Sequence, residues 1–253
     1  MMSSKKIIHV ITNDVTRQFV ADTITAVGAS PIMSETPEEY ASIYAKINAS
    51  VINLGMVSLE KQKVIHTACS EASHHGVPMV VDLVGIHFSA YRKRFALELL
   101  NQYEFAVIKG HYDEISALDS TLHSESFEAS KPMTLELIQT VSKMYPKAIM
   151  VATGATDYIG QNGHIMTISG GSCLLPKVSG TGCVLSGLFG VCLATQPQPQ
   201  TSEHKPLPMV SQIKNLCKAY KEASIKAEYS SNNRLGQFKI DLISELSEIE
   251  VLL

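Results

Sequence analysis

The chain has no tryptophan and only five cysteines among its 253 residues. The cysteines are Cys69, Cys173, Cys183, Cys192 and Cys217, and no two of them have the C-x-x-C spacing. An odd number without paired spacing argues against a disulfide framework and against a zinc site. It is typical of reduced thiols in a cytoplasm, so we expect a cytoplasmic protein.

Long apolar runs and an excess of positive charge are also absent. No apolar stretch reaches the roughly 18 residues that a membrane-spanning helix needs. The apolar run after Lys6 is short and becomes polar at Thr12, which argues against a signal peptide. The net charge is −3, so no basic field favours nucleic acid. We therefore expect neither a membrane nor a nucleic acid as a partner.

Several well-known catalytic motifs are missing as well. The sequence has no Walker A motif, which excludes a P-loop kinase, and its lone G-T-G does not complete the G-x-G-x-x-G of a nicotinamide-binding fold. The nine histidines form no H-E-x-x-H pattern, and no G-x-S-x-G is present. A metalloprotease and a hydrolase triad are therefore unsupported.

What the chain does contain is an alternation of strand-like and helix-like segments. Apolar runs of strand length are found at 6–12, 50–54, 79–84, 106–108 and 148–152, and segments with helical spacing separate them. This order predicts βαβ crossovers and an α/β fold with a mostly parallel sheet. We expect one domain over residues 1–253.

Further local expectations follow from turn and capping residues. Asn13 is a plausible N-cap of a helix over 15–27, and residues 160–163 separate two apolar runs as in a β-hairpin. Residues 196–208 are rich in proline and polar residues, which predicts a surface loop, and the last helix is expected over 239–252.

The stretch from Gly180 to Cys183 is the strongest candidate for a functional site. Gly180, Thr181 and Gly182 predict a turn whose N–H groups point outward at the start of an apolar helix, which would form an anion hole. Cys183 would lie in the first helical turn, where the helix dipole favours a thiolate that could act as a base. The alternative is a glycine-rich turn followed by a structural cysteine.

Polar residues also follow several of the predicted strands. Asn53, Asp82, the segment 109–114 and Thr153 all come at strand ends, which meet at one edge of a parallel sheet. Asp82 and Glu114 would then be carboxylates that could hold Mg²⁺ with substrate phosphates, and Lys109 could neutralise a phosphate. The alternatives are capping or surface roles for the two acids and plain exposure for the lysine.

Together these segments resemble one known family, the hydroxyethylthiazole kinases of the ribokinase-like superfamily. The resemblance extends over nearly the whole chain and keeps its order. The segments that carry it are Ile11-Thr-Asn-Asp-Val15, Gly28-Ala-Ser-Pro-Ile-Met33, Asn53-Leu-Gly55, Asp82-Leu-Val-Gly85, Ile108-Lys-Gly-His-Tyr-Asp-Glu-Ile115, Thr153-Gly-Ala-Thr-Asp-Tyr158, Gly180-Thr-Gly-Cys183 and Gly236-Gln-Phe238.

The resemblance implies a fold, a reaction and an assembly. The fold would be a ribokinase-like three-layer α/β/α sandwich with a central, mostly parallel sheet. The reaction would be phosphorylation of the alcohol of 4-methyl-5-(2-hydroxyethyl)thiazole by ATP with Mg²⁺, a salvage step in thiamine biosynthesis. Members of the family are homotrimers with the thiazole site between subunits.

It also implies a role for each matching residue. Cys183 would replace the aspartate base of most ribokinase relatives. Met33 and Gly180 would contact the thiazole, and Lys109 and Thr153 would contact ATP phosphates. The carboxylates already singled out, Asp82 and Glu114, would lie near Mg²⁺.

This chain departs from the family pattern on the nucleotide side. Leu83 replaces a proline, His111 replaces an asparagine and Ala155 replaces a glutamate. Lys109 replaces an arginine, so a two-pronged grip on a phosphate becomes a single charge.

Two other functions remain open at this stage. A non-catalytic thiazole- or thiamine-binding member of the family is favoured by Lys109 and Ala155 and disfavoured by the retained Asp82, Glu114 and Cys183. A kinase of another ring alcohol, such as hydroxymethylpyrimidine or pyridoxal, would need different residues at 28–33 and 180–183.

Overall fold

A computed structural model describes residues 5–119, 134–195 and 208–249. Its eight strands form one sheet in the order β2-β1-β3-β4-β5-β6-β7-β8. The strands are β1 (Ile7–Ile11), β2 (Ser30–Ile32), β3 (Ala49–Asn53), β4 (Met79–Asp82), β5 (Val107–His111), β6 (Ile149–Thr153), β7 (Thr156–Gln161) and β8 (His164–Ser169). The first six run parallel, and β7 and β8 form the predicted antiparallel hairpin at one edge.

The register of the parallel strands brings their polar ends side by side. Asn53 pairs with Asp82, and Asp82 pairs in turn with Lys109. On β5, two residues after Lys109, His111 pairs with Thr153 of β6. The carboxyl edge of the sheet is therefore lined by residues that the sequence analysis placed at strand ends, as expected for an α/β sheet.

Nine α-helices within the described ranges cover both faces of the sheet. They are α1 (Arg17–Ala26), α2 (Tyr40–Tyr44), α3 (Leu59–His75), α4 (Ala90–Gln102), α5 (Tyr112–Ser116), α6 (Leu135–Met144), α7 (Thr181–Ala194), α8 (Met209–Ser231) and α9 (Leu235–Ser247). Two apolar clusters lie between the layers. One packs α1, α7, α8 and α9 on one face, and the other packs α2 to α6 on the opposite face. The predicted three-layer α/β/α architecture is confirmed.

Helix α7 is buried over nearly its whole length, as its apolar sequence predicted. Gly190 faces the sheet so closely that a Cβ atom there would lie 2.5 Å from a methyl carbon of Val51. This contact fixes the height of the helix above the central strands. The N-terminus of α7 consequently lies at the carboxyl edge, beside β1, β3 and β4.

Three local expectations were wrong. Asn13 is not the N-cap of α1, because the helix begins only at Arg17 with Thr16 at the N-cap position. The Asn13 side chain instead accepts from the backbone N–H and hydroxyl of Thr16 and closes the turn before the helix. The strand predicted at 106–108 extends further along the chain, because β5 continues to His111 and α5 follows at once. The last helix spans Leu235–Ser247 instead of 239–252.

The surface loop predicted at 196–208 lies almost wholly outside the described residues. Among the helices of the described ranges, none combines the length and the apolar character that crossing a bilayer requires.

Candidate active site

The turn at Gly180 begins α7 and faces the carboxyl edge of the sheet. Gly180 has φ of 95°, a left-handed conformation that favours glycine. A Cβ atom there would also lie 2.9 Å from the Thr16 methyl group, so the turn packs tightly against the segment before α1. Because no helical turn precedes them, the first N–H groups of α7 have no intrahelical acceptor. They are therefore available to an anion, as predicted for Gly180, Thr181 and Gly182.

Hydrogen bonds to two other segments hold this turn in place. The Thr181 hydroxyl donates to the Leu175 carbonyl oxygen at 2.9 Å, and the Tyr220 hydroxyl donates to the Thr181 carbonyl oxygen at 2.9 Å. Gly182 leaves room for a cation, since a Cβ atom there would lie 3.0 Å from Lys109 Nζ. The turn is thus preorganised above a positive charge.

That positive charge belongs to a buried ion pair. Lys109 Nζ lies 3.1 Å and 3.2 Å from the two carboxylate oxygens of Asp82, and the two side chains are 2% and 0% exposed. Asp82 also accepts from the Ser186 hydroxyl at 2.8 Å and from Asn53 Nδ2 at 3.0 Å. Burial alone lowers the pKa of Lys109, but the carboxylates of Asp82 and Glu114 outweigh it and raise that pKa. This direction favours the charged form of Lys109.

Cys183 lies in the first turn of α7 beside two amides. Asn53 Nδ2 is 3.3 Å and Asn13 Nδ2 is 3.7 Å from its Sγ atom. Burial raises the pKa of the Cys183 thiol, and the Asp82 carboxylate raises it further, against the opposing effect of Lys109. This direction is the opposite of the one expected from the helix dipole, because loss of hydration outweighs the dipole when the group is enclosed. Cys183 is a thiol at neutral pH.

Glu114 joins the loop after β4 to the start of α5. Its carboxylate accepts from the Gly85 N–H at 2.7 Å and from the His111 N–H at 2.6 Å. Glu114 therefore caps α5, as one of the alternatives in the sequence analysis had it. Its side chain is buried. Each oxygen accepts one hydrogen bond, so each keeps a lone pair for another partner.

A cavity of about 560 Å³ opens beside this turn. Thr153, Thr181, Gly182 and His111 form part of its wall. Apolar surface comes from Leu175, Pro176 and Leu185, and the Tyr220 side chain also contributes. The combination of apolar walls with a few polar groups at one end is typical of a site for a small organic molecule.

A second buried ion pair shapes the other side of the cavity. Lys221 Nζ lies 3.2 Å from Asp157 Oδ1, with the two side chains 6% and 5% exposed. The same amine donates to the carbonyl oxygens of Gly154 at 3.0 Å and Gly170 at 2.9 Å. Asp157 in turn accepts from the Gly154 N–H at 3.0 Å. The pair thus joins α8 to the turns after β6 and β8.

The residues predicted from the sequence fall into two groups in space. Asp82, Lys109 and Cys183 lie together under the Gly180 turn, with Glu114 beside them in the charge network. Thr153 lies on the cavity wall with Thr181 and Gly182. Met33 follows the edge strand β2, packs against the same apolar cluster as Cys183 and does not line the cavity.

Sequence reasoning missed several polar residues of this region. Asn13 was interpreted as a helix cap, and Ser186, Asp157 and Lys221 were not singled out. For Lys221 the sequence contains one indication of burial. It lies with Ser224 on a largely apolar face of α8. A lysine is almost never fully buried without a partner, so its position on that face implies an acid opposite it.

Comparison with known proteins gives consistent matches over the whole chain. The family model described as the hydroxyethylthiazole kinase family matches residues 1–251. Hydroxyethylthiazole kinase 1 of Streptococcus pneumoniae (strain JJA) is 33% identical over 241 residues, covering 94% of this chain and 89% of that protein. Hydroxyethylthiazole kinase of Alkaliphilus metalliredigens (strain QYMF) is 32% identical over 255 residues, covering 98% of this chain and 90% of that protein.

Solved structures agree with the fold. The hydroxyethylthiazole kinase protein from Pyrococcus horikoshii OT3 superimposes with a TM-score of 0.82 at 28% identity, covering 97% of this chain and 89% of that one. A ribokinase-like superfamily protein from Enterococcus faecalis V583 gives a TM-score of 0.66 at 13% identity, with 97% and 89% covered, which shows the fold alone. The ribokinase-like fold is confirmed.

Replacing Lys221 by methionine is expected to destabilise the protein by about 3 kcal/mol, because it leaves the Asp157 carboxylate buried without its partner. Urea denaturation followed by circular dichroism measures the change. Lys218→Met, one helical turn earlier on the exposed side of α8, is the control and should change the free energy of unfolding by no more than about 0.5 kcal/mol. Equal effects of the two substitutions would contradict the importance of the buried pair.

Proposed function

The chain belongs to the hydroxyethylthiazole kinase family, and we therefore propose that it transfers the γ-phosphoryl group of ATP to the hydroxyl of 4-methyl-5-(2-hydroxyethyl)thiazole. The product feeds thiamine diphosphate biosynthesis. The observation that carries this proposal is the position of Cys183, between the N–H groups of the Gly180 turn and the Asp82–Lys109 pair. A phosphoryl transfer needs these parts: donors for the phosphate charge and a group that receives the hydroxyl proton.

We assign the cavity of about 560 Å³ to ATP. Its apolar wall suits an adenine ring. Its polar end contains Thr153 and, at the start of α7, Thr181 and Gly182, whose backbone N–H groups can donate to phosphate oxygens. Lys109 lies beneath Gly182 and is not part of the cavity wall, so its positive charge would act on the phosphates across the Gly180 turn. The lysine that replaces the family's arginine therefore acts as a fixed charge below the phosphates.

The carboxylates fit a magnesium ion that is shared with the nucleotide. In the described part of the chain, no group of three or more His, Cys, Asp or Glu side chains could hold a metal by itself. Glu114 keeps one lone pair on each oxygen and would ligate the ion together with phosphates and water. Asp82 is fully enclosed and already accepts from Lys109, Ser186 and Asn53, so it would contribute its charge from beneath. We propose that Glu114 and Asp82 hold Mg²⁺ in this way, and bound Mg²⁺ would neutralise phosphate charge.

Cys183 is proposed to receive the proton of the thiazole hydroxyl as the oxygen attacks the γ-phosphorus. Its raised pKa makes the thiolate a strong base once formed, although little thiolate exists at neutral pH. Asn53 and Asn13 point amide N–H groups at Sγ and can stabilise the thiolate form, which is the form that takes up the hydroxyl proton. Asn53 also donates a hydrogen bond to Asp82, so the Asp82–Lys109 ion pair orients the amide that contacts Cys183.

The first test is thiazole-dependent ADP release with ATP and Mg²⁺, measured for the wild type and for Cys183→Ala. Loss of a general base is expected to lower kcat by about 10²- to 10⁴-fold. The control is Cys192→Ala, which changes a buried cysteine at the far end of the same helix and should leave kcat within a factor of a few.

The other outcomes of this assay are equally informative. Equal rates in the wild type and Cys183→Ala would remove Cys183 as the base while leaving the kinase activity in place. If the wild type binds the thiazole in a calorimeter but releases no ADP, the kinase proposal fails. The chain would then be a thiazole-binding protein of the family.

The direction of the Cys183 pKa leads to a pH dependence. Because that pKa is raised, the thiolate fraction still increases above the ordinary titration range of a cysteine. The value of kcat/KM should therefore climb between about pH 7 and pH 9, by up to about tenfold per pH unit. Cys183→Asp provides an acid that is ionised at lower pH, so its profile should be flatter. A wild-type plateau reached below pH 8 would contradict a thiol base.

We also propose a homotrimer in which Met33 and Gly180 contact the thiazole from neighbouring subunits. Large apolar side chains near the carboxyl edge are exposed in the single chain: Val15 at 79%, Leu59 at 65% and Met56 at 45%. A subunit interface would bury them. Sedimentation equilibrium should give three times the mass of the chain, and a monomer at micromolar concentration would contradict the assembly.

A further inference from the structure

We propose that His9 is a positioning residue for the thiazole, which acts by holding the backbone of Ser34 and, with it, the neighbouring Met33 side chain. The proposal rests on the assignment of Met33 to the thiazole site, and it adds a residue that does not itself touch the substrate. His9 lies in the middle of β1 and is 0% exposed. It is a buried polar ring that the mechanism above does not use.

The strand that leads to Met33 ends at the position of His9. β2 has only three residues, and its pairing with β1 ends at Ile32, which lies opposite His9. Residues 33–36 continue without regular secondary structure. A segment outside the strand ladder opens easily unless other contacts hold it. The position of Met33 therefore depends on the contacts that residues 33–36 make with the rest of the protein.

Two buried side chains donate to the Ser34 carbonyl oxygen, directly after Met33. His9 Nε2 lies 2.8 Å from this oxygen, and the Tyr40 hydroxyl donates to it at 3.2 Å. Because a carbonyl oxygen only accepts, His9 Nε2 carries the proton. The rings of His9 and Tyr40 also pack edge to face, with their centroids 5.0 Å apart. The backbone after Met33 is thus held from inside the protein.

Hydrogen bonds on the other side of the His9 ring fix its orientation. The Tyr44 hydroxyl lies 2.8 Å from His9 Nδ1, and Ser50 Oγ lies 2.9 Å from the same hydroxyl. In a neutral ring with its proton on Nε2, Nδ1 accepts from Tyr44, and the Tyr44 oxygen can accept from Ser50. Burial lowers the pKa of His9, against the opposing effects of the Ser34 carbonyl and the Glu35 carboxylate, which agrees with a neutral ring. The ring is therefore held in one orientation and one tautomer.

The Glu35 side chain holds the same segment against two helices. Its carboxylate pairs with Arg17 of α1 and with Lys61 of α3. Lys61 Nζ also donates to the Thr12 carbonyl oxygen at 3.2 Å, next to the asparagine whose amide faces Cys183. Because this second attachment does not involve His9, loss of the His9 donor should weaken thiazole binding without abolishing it.

Calorimetric titration of the full chain with the thiazole, without nucleotide, tests this role in two variants of His9. An asparagine amide reaches about as far as Nδ1 of a histidine and cannot reach the Ser34 carbonyl, whereas a glutamine amide N–H lies close to the position of Nε2 and can. We expect the Kd of His9→Asn for the thiazole to be about tenfold higher, as for loss of one buried hydrogen bond. His9→Gln should bind within about threefold of the wild type.

The kinetics of ADP release give a second readout of the same two variants. The KM for the thiazole should increase in His9→Asn and stay close to the wild-type value in His9→Gln. Both should keep kcat and the KM for ATP of the wild type, because His9 holds only the Met33 segment. A general loss of stability would instead affect all of these constants in both variants.

A matched pair of tyrosine variants does not depend on how well the His9 variants fold. Tyr40→Phe removes the other donor to the Ser34 carbonyl and should raise the Kd for the thiazole about fivefold. Tyr103→Phe removes a hydroxyl that contacts the His66 carbonyl oxygen at the end of α4 and should bind the thiazole as the wild type does.

Three results would overturn the proposal. The first is a His9→Asn variant with the wild-type Kd for the thiazole. The second is an equal loss of binding in His9→Asn and His9→Gln, since that would indicate a general disturbance of the core. The third is an equal Kd in Tyr40→Phe and Tyr103→Phe.

Failure of the proposed function gives different results. A wild type that binds no thiazole would overturn the thiazole site and the role of His9 together. If the wild type binds the thiazole but releases no ADP, the kinase proposal fails, and the Kd values of the variants still decide the role of His9. Wild-type phosphorylation of the thiazole beside an unchanged Kd in His9→Asn would remove only the role of His9.

Discussion

The buried ion pair between Asp82 and Lys109 is the interaction on which the rest of the site depends. Both side chains are almost completely enclosed, and an isolated charge at that depth would cost several kcal/mol. The pair is satisfied by Asn53 from β3, by Ser186 from α7 and by the close approach of Gly182. Three neighbouring strands and the central helix are thereby held in one arrangement, with the Gly180 turn above it.

The same pair sets the chemistry of Cys183. The thiol lies close enough to Asp82 and Lys109 for the two charges to act on it in opposite directions, while burial raises its pKa. The raised pKa favours the thiol form, and the amide N–H groups of Asn53 and Asn13 point at its Sγ atom.

The cavity beside the Gly180 turn is built on a second ion pair, from α8 to the β7–β8 hairpin. Lys221 holds the carbonyl oxygens of Gly154 and Gly170, so the two turns that line the cavity are fixed by one amine. Lys221 therefore holds two backbone turns in place, and Lys109 pairs with the Asp82 carboxylate, both from inside the protein.

The sequence by itself determined the fold class and the position of the site. Strand-length apolar runs separated by helical segments allow one sheet covered on both faces, and polar residues at strand ends must meet at one edge. The tertiary structure decided which polar groups are paired, because pairing depends on strand register and on how closely α7 approaches the sheet. Lys109, expected at the phosphates, lies against Asp82, and the Cys183 pKa is raised instead of lowered, since burial is a property of the packed molecule and not of a local motif.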